Sequence, residues 1–160
     1  MVKVHITPKE ADLRVERAVQ LFKEGYNCSQ SVVGAFADLY GFTQKQALLM
    51  SASFGGGIGR MRQTCGAACG MFVLAGLQSG TTIGSDREGK SRNYAMVQQL
   101  AESFKQINGS IICAELLGLK PNAEITAQAS ERTDSYYKKR PCSEMVRTAA
   151  RLFANAISQD

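Results

Sequence analysis

The sequence predicts an all-α fold, a compact multi-helix bundle around a central helix rich in small residues. Three observations favour this class: apolar residues recur with helical spacing, capping residues precede those segments, and no segment alternates as a strand does. The chain has 160 residues, 44% of them hydrophobic and 21% charged, as in an ordinary globular domain. We therefore expect one domain over residues 1–160, with a loose N-terminus over residues 1–8.

The first third of the chain predicts three helices joined by short loops. The first is expected over residues 9–24, where apolar residues lie three and four positions apart. The second carries an apolar face between Val32 and Tyr40 and ends at Gly41, while Thr43 can cap the third, TQKQALLMSASF. Such short connections predict an antiparallel stack.

The central helix is predicted to follow a glycine-rich loop within FGGGIGRMRQTCGAACG, residues 54–70. Thr64 can cap it, and its sequence, CGAACGMFVLAGLQSG, has almost no polar face, which favours a buried position. Its small residues lower helix propensity, so we expect them to let neighbouring backbones approach closely. They are Gly66, Ala67, Ala68, Gly70 and Gly76.

The second half predicts a polar loop, TTIGSDREGKSRN, and then a long amphipathic helix marked by Tyr94, Val97 and Phe104. A short helix is expected in SIICAELLG, residues 110–118. The segment 119–140 is compatible with a helix or a long loop. A closing helix is predicted to begin just after Pro141, a residue suited to a first turn.

Charge and hydropathy exclude several classes of partner and location. The formal charge of +5 is spread over the chain without a basic block, so no specific nucleic-acid partner is expected. No apolar run approaches the roughly 20 residues of a membrane-spanning helix, so no membrane span is expected. The first residues, MVKVHITPKEADL, lack the apolar core of a signal peptide, and the cytoplasm is the expected location.

Five cysteines and one histidine, His5, restrict the chemistry. In a chain without a secretory signal, an odd number of cysteines favours reduced thiols, metal ligands or redox groups over a disulfide framework. Four of the cysteines fall in the first turn of a predicted helix. These are Cys28 after Asn27, Cys65 after Thr64, Cys113 three residues after Ser110, and Cys142 after Pro141.

A helix start can stabilise a thiolate, because free amide groups and the helix dipole favour negative charge there. Arg60 and Arg62 precede Cys65, and the basic residues 138–140 precede Cys142. We expect Cys65 to have the lowest pKa and to act as the attacking thiol. If the four helix starts meet, they form an electropositive pocket of thiolates; if they do not, burial is enough to explain the cysteines.

Cys69 lies one helical turn after Cys65, on the same face of the central helix. Three roles are open to it: an auxiliary metal ligand, a resolving thiol, or a small core residue.

The glycine loop could bind a cofactor through Gly55, Gly56, Gly57 and Arg60, since a glycine-rich loop before a helix is a common anion site. It lacks the phosphate-loop pattern and the preceding strand of a dinucleotide site. A tight turn is therefore the favoured interpretation. A third alternative is that its amides stabilise the Cys65 thiolate or a bound cluster.

Five segments together resemble the C_GCAxxG_C_C family, whose members are described as "putative redox-active" proteins. They are GYNCSQSVVGAF around Cys28, FGGGIGR, the motif Cys65-Gly66-Ala67-x-x-Gly70, SIICAELLG around Cys113, and RPCSEMV around Cys142. The resemblance covers about residues 11–153. It implies a small, mainly cytoplasmic prokaryotic domain with Cys28, Cys65, Cys113 and Cys142 as signature cysteines.

The leading hypothesis is a redox-active protein that uses these four cysteines for thiol–disulfide exchange or electron transfer, with a redox partner protein or a small thiol. The same cysteines could instead hold zinc or an iron–sulfur cluster. A third hypothesis is a non-enzymatic binding module, a helical homodimer with structural cysteines. Whether the protein is an enzyme stays open at this point.

Overall fold

The computed structural model describes residues 3–158, which are all-α as predicted: eight α-helices and two short 3₁₀ helices. The α-helices are α1 (Pro8–Lys23), α2 (Cys28–Gly34), α3 (Gln44–Ser51), α4 (Gly66–Ser79), α5 (Arg87–Asn108), α6 (Cys113–Leu116), α7 (Asp134–Lys139) and α8 (Cys142–Ile157). The 3₁₀ helices are Ala37–Tyr40 and Ala52–Phe54. Over the same part of the chain, no helix has both the length and the apolar character needed to cross a membrane.

Helix α4 is the predicted central helix, and it packs against α2, α5 and α8. Two of its glycines allow this approach. A Cβ at Gly66 would lie 2.7 Å from the carbonyl oxygen of Phe54, and one at Gly70 would lie 3.0 Å from that of Ser29. The expected role of small residues is thus confirmed at both positions. The same expectation is wrong for Gly76, because a Cβ there would meet no atom within 4 Å.

The first and last helices pack along each other and close the core, in which the rings of Phe36 and Phe153 stack edge to face at 5.2 Å. The segment before α1 is attached to this pair. Ile6 is buried and its amide donates to the carbonyl of Ile157 at 3.1 Å, while the amide of Val4 donates to the side chain of Gln78 at 3.3 Å. Residues 3–7 are therefore not loose, contrary to the expectation for residues 1–8; residues 1 and 2 lie outside the described chain.

Several helix boundaries differ from the predicted ones. Helix α5 begins at Arg87, inside the predicted polar loop, because the Asp86 carboxylate accepts a hydrogen bond from the amide of Gly89 and caps the first turn. The second predicted helix is divided, since α2 ends at Gly34 and a 3₁₀ helix completes the segment. Thr43 caps α3, as expected, and the Gln46 side chain completes a reciprocal capping box.

The unassigned segment 119–140 is mostly loop, followed by the short helix α7. Arg132 attaches it to the end of α1. Its guanidinium donates to the carbonyls of Phe22 and Tyr26, both at 2.9 Å, and lies 4.3 Å from the centre of the Phe22 ring. This contact combines hydrogen bonds with a cation–π interaction and holds the segment against the end of α1 and the residues that join it to α2.

Candidate functional site

A cavity of about 470 Å³ lies where the first turns of several helices meet. Four of the five cysteines line it: Cys28, Cys65, Cys113 and Cys142. The loop residues Gly55, Gly56, Gly57 and Arg60 line it as well. The residues singled out in the sequence are thus brought together in space, apart from Cys69, which is not part of the lining.

Cys28 is held at the start of α2 by a capping box. The Asn27 side chain accepts from the amide of Gln30 at 2.9 Å, and the Gln30 side chain accepts from the amide of Asn27 at 3.1 Å. Asn27 also donates to the carbonyl of Ala52 at 2.9 Å, which ties this helix start to the 3₁₀ helix that precedes the glycine loop. In the sequence, Asn27 is a good N-cap residue and Gln30 stands three positions later, as in a capping box, so this pattern predicts the local structure around Cys28 correctly.

A short backbone bridge places Cys65 beside Cys113. The amide of Cys65 donates to the carbonyl of Ile111 and the amide of Cys113 to that of Gln63, both at 2.7 Å. Thr64 lies inside this bridge, opposite Ile112. Cys65, not Thr64, is consequently the residue before α4, so the predicted cap at Thr64 is wrong.

Cys142, the first residue of α8, has the most reactive environment of the five. A hydrogen bond from the Cys28 thiol is the main cause that lowers its pKa to about 6. Burial opposes this change, whereas the charge of Arg140, a hydrogen bond from Tyr136 and the charge of Arg132 support it. At neutral pH Cys142 is therefore mainly a thiolate.

The other cavity cysteines stay protonated. The hydrogen bond to Cys142 and burial raise the pKa of Cys28. Burial raises that of Cys65 to about 12 and outweighs the nearby amides of Ala67 and Ala68. Burial also raises the pKa of Cys113, although Arg62 Nη1 lies 3.7 Å from its sulfur. The expectation that Cys65 has the lowest pKa is wrong, because its sulfur is buried and Cys142 is better stabilised.

Cys69 is a buried residue of α4 whose sulfur donates to the carbonyl of Thr64 at 3.7 Å. Burial raises its pKa to about 11. Of the three roles open to it, its position favours that of a core residue.

The glycine loop is a tight turn whose amides are largely used within it. Gly56, Gly57 and Gly59 have positive φ angles, as do Ile58, Arg60 and Arg62. Amides along residues 58–63 donate to carbonyls of residues 53–58. These amides do not stabilise the Cys65 thiolate, and the tight-turn interpretation is the one that the geometry favours.

Two cavity residues, Arg132 and Tyr136, were not among the residues singled out in the sequence. Tyr136 lies in α7, and Arg132 directly precedes its cap. A local signal for this helix exists in TDSYYKKR, where Thr133 is the cap, Asp134 is the first residue and Lys138 and Lys139 are the last. These two lysines are exposed and outside the lining, whereas Arg140 is part of it.

The zinc and iron–sulfur hypotheses require three or four thiolates around one centre, with sulfur about 2.3 Å from zinc. Within residues 3–158, no group of three or more Cys, His, Asp or Glu side chains is arranged to hold a metal ion. The zinc and iron–sulfur hypotheses stay predictions from the sequence.

The fold and the cavity define a class of protein, a small helical protein with a thiolate and three further thiols in an arginine-lined cavity. The chain belongs to the C_GCAxxG_C_C family, whose model matches residues 26–156 and is described as "Putative redox-active protein". No curated protein and no solved structure matches the chain. The family resemblance drawn from the cysteine contexts is thereby confirmed.

The low pKa of Cys142 predicts an unusual pH profile for its alkylation. The rate with iodoacetamide should rise with a midpoint near pH 6 and level off by neutral pH, since deprotonation is then complete. Replacing Cys28 with alanine removes the main cause of the low pKa, so the midpoint should move toward that of an ordinary thiol, about 8.5. Mass spectrometry of the labelled peptide checks this; a midpoint unchanged in Cys28→Ala would contradict it.

Proposed function

We propose that the protein exchanges thiols and disulfides, with Cys142 as the attacking thiolate and Cys28 as the resolving thiol. The observation that carries this proposal is the pairing of the two side chains. Each is the first residue of a helix, both line the cavity, and the Cys28 thiol is the main cause of the low pKa of Cys142. A thiolate beside a protonated thiol is the arrangement that thiol–disulfide exchange uses.

In the first step, the Cys142 thiolate attacks one sulfur of a substrate disulfide. The substrate S–S bond breaks, a mixed disulfide forms on Cys142, and one substrate thiolate leaves. This thiolate takes the proton of Cys28. In the second step, the Cys28 thiolate attacks the sulfur of Cys142 and releases the second substrate thiolate. Two electrons have then passed to the substrate, and Cys28 and Cys142 form a disulfide.

The charge of Cys142 sets the order of these steps. While Cys142 is a thiolate, its negative charge and the hydrogen bond raise the pKa of Cys28 and keep it protonated. Formation of the mixed disulfide removes that charge. Cys28 is therefore easier to deprotonate only after the attack, when a second nucleophile is needed.

A complete cycle needs a reductant for the Cys28–Cys142 disulfide, and we assign this role to a redox partner protein or a small thiol. A reducing compartment such as the cytoplasm suits this chemistry, because the resting state is a pair of thiols. The homodimeric binding module remains a prediction from the sequence, and no contact in the cavity favours it.

The test is disulfide mapping after oxidation. The reduced protein is treated with one equivalent of hydroxyethyl disulfide, quenched with acid and digested for mass spectrometry. We expect Cys28–Cys142 as the main disulfide in the wild type and in Cys69→Ser, the matched control. Cys28→Ser should stop at a mixed disulfide on Cys142. A main disulfide between Cys65 and Cys113, or a mixed disulfide on another cysteine, would overturn the assignment.

A further inference from the structure

The cavity has an excess of positive charge. Its lining includes four arginines, Arg60, Arg62, Arg132 and Arg140. None of the lining residues that the structure describes is Asp or Glu. The arginines that form ion pairs within residues 3–158 are others, namely Arg14, Arg92, Arg147 and Arg151. Four guanidinium groups thus line a cavity that contains a single thiolate.

Neutral groups hold Arg60 at the cavity without compensating its charge. Its Nη1 donates to Thr126 Oγ1 and its Nη2 to Ser130 Oγ, both at 2.9 Å. Burial, followed by the charges of Arg62 and Arg140, lowers the pKa of Arg60. These arginines repel one another, and a bound anion would offset the repulsion.

The size and the apolar part of the cavity limit the form of such an anion. A volume of about 470 Å³ lies within the range of small-molecule pockets. Leu116, Ala127, Ala129 and Met145 supply apolar surface beside the thiols. This combination suits a short aliphatic body with charged ends.

We infer that the disulfide reduced at this site is a small carboxylate-bearing molecule, which Arg60 and Arg62 bind through its carboxylates. This inference rests on the proposed exchange at Cys142 and Cys28. The redox step is unchanged: the ligand S–S bond breaks, two ligand thiolates leave, and the carboxylates take no part in electron transfer. Guanidinium groups suit this role because they bind carboxylates through paired hydrogen bonds.

The test compares three small disulfides that differ in charge: dithiodipropionate with two carboxylates, neutral hydroxyethyl disulfide, and cystamine with two ammonium groups. The rate of mixed-disulfide formation on Cys142 is measured for each at pH 7 and low salt. Each rate is divided by that of free mercaptoethanol with the same disulfide, which removes intrinsic differences in reactivity. We expect the normalised rate of dithiodipropionate to exceed that of cystamine by about tenfold or more, and high salt to reduce the ratio.

Arg60→Gln and Arg62→Gln should each reduce this ratio severalfold. Arg92→Gln, which removes the same charge from an exposed position on α5, should leave the ratio unchanged. Equal normalised rates for the three disulfides would overturn the inference but leave thiol exchange intact. The same conclusion would follow if Arg60→Gln and Arg62→Gln both kept the full preference for dithiodipropionate over cystamine. Failure of Cys142 to react with any of the three would overturn the proposed function, and this inference with it.

Discussion

Replacing Cys142 with serine should abolish turnover of a small disulfide and slow the initial attack at pH 6 by more than about tenfold. At that pH about half of Cys142 is thiolate, whereas about one Cys65 in a million is ionised, given their pKa values of about 6 and 12. The Cys65 thiolate, being more basic, is the stronger nucleophile, but this raises its rate by only about 500-fold and does not offset its far smaller ionised fraction. Stopped-flow measurement of thiolate consumption and a steady-state assay with excess reductant check both effects.

Cys28 is the strongest competitor in this variant, because loss of the Cys142 charge removes a main cause of its raised pKa. The double variant Cys28→Ser/Cys142→Ser should therefore react more slowly still. Cys28→Ser alone should lose turnover but keep its attack through Cys142, because the serine hydroxyl can still donate a hydrogen bond to the thiolate. Cys69→Ser should keep both the attack and turnover. An initial rate in Cys142→Ser within threefold of the wild type would show that another cysteine attacks first.

Substituting Gly57 with alanine should destabilise the protein by about 3 kcal/mol or more, with loss of the cavity geometry. Gly57 is buried with φ +75°, and a Cβ there would lie 2.5 Å from the Cβ of Cys113 and 2.8 Å from the Cα of Arg62. The Cys113 side chain and the Arg62 backbone must therefore both move. Urea denaturation gives the free energy of unfolding, and thiol titration of the native protein reports the exposure of Cys113.

Gly59→Ala is the matched control. Gly59 lies in the same loop with φ +55°, but an added Cβ would make only an ordinary contact, 3.9 Å from the Ser53 carbonyl oxygen. Only backbone strain applies there, and a loss of about 1 kcal/mol is expected. Similar losses in the two variants would mean that the approach of the loop to Cys113 does not limit stability.

Local signals in the sequence account for most of the helices and for the placement of Cys28. The capping boxes at Asn27 and Thr43 occur as the residue patterns predict, because each depends on contacts three residues apart. The cap of α7 at Thr133 is equally local, so that helix was predictable too. Thr64 is different, since its pairing with Ile112 replaces the expected cap and depends on a distant segment.

The reactivity of the site could not be derived from local patterns. Cys65 and Cys142 have similar sequence surroundings, a helix start with basic residues before it. Their pKa values differ because Cys65 is buried by the packing of α4, while Cys142 receives hydrogen bonds from Cys28 and Tyr136. The contact between Cys28 and Cys142 joins segments far apart in the chain, so sequence spacing contains no direct record of it.

Arg132 connects the stability of the fold to the chemistry of the cavity. Its guanidinium binds the carbonyls of Phe22, in the last turn of α1, and of Tyr26, just beyond that helix, and its charge also favours the Cys142 thiolate. A substitution at this position therefore changes both properties together. Arg140 makes no such contact with α1, since it donates to Ser130 and stacks on Tyr136. During evolution, adjustment of thiolate reactivity is consequently less constrained by folding at position 140 than at position 132.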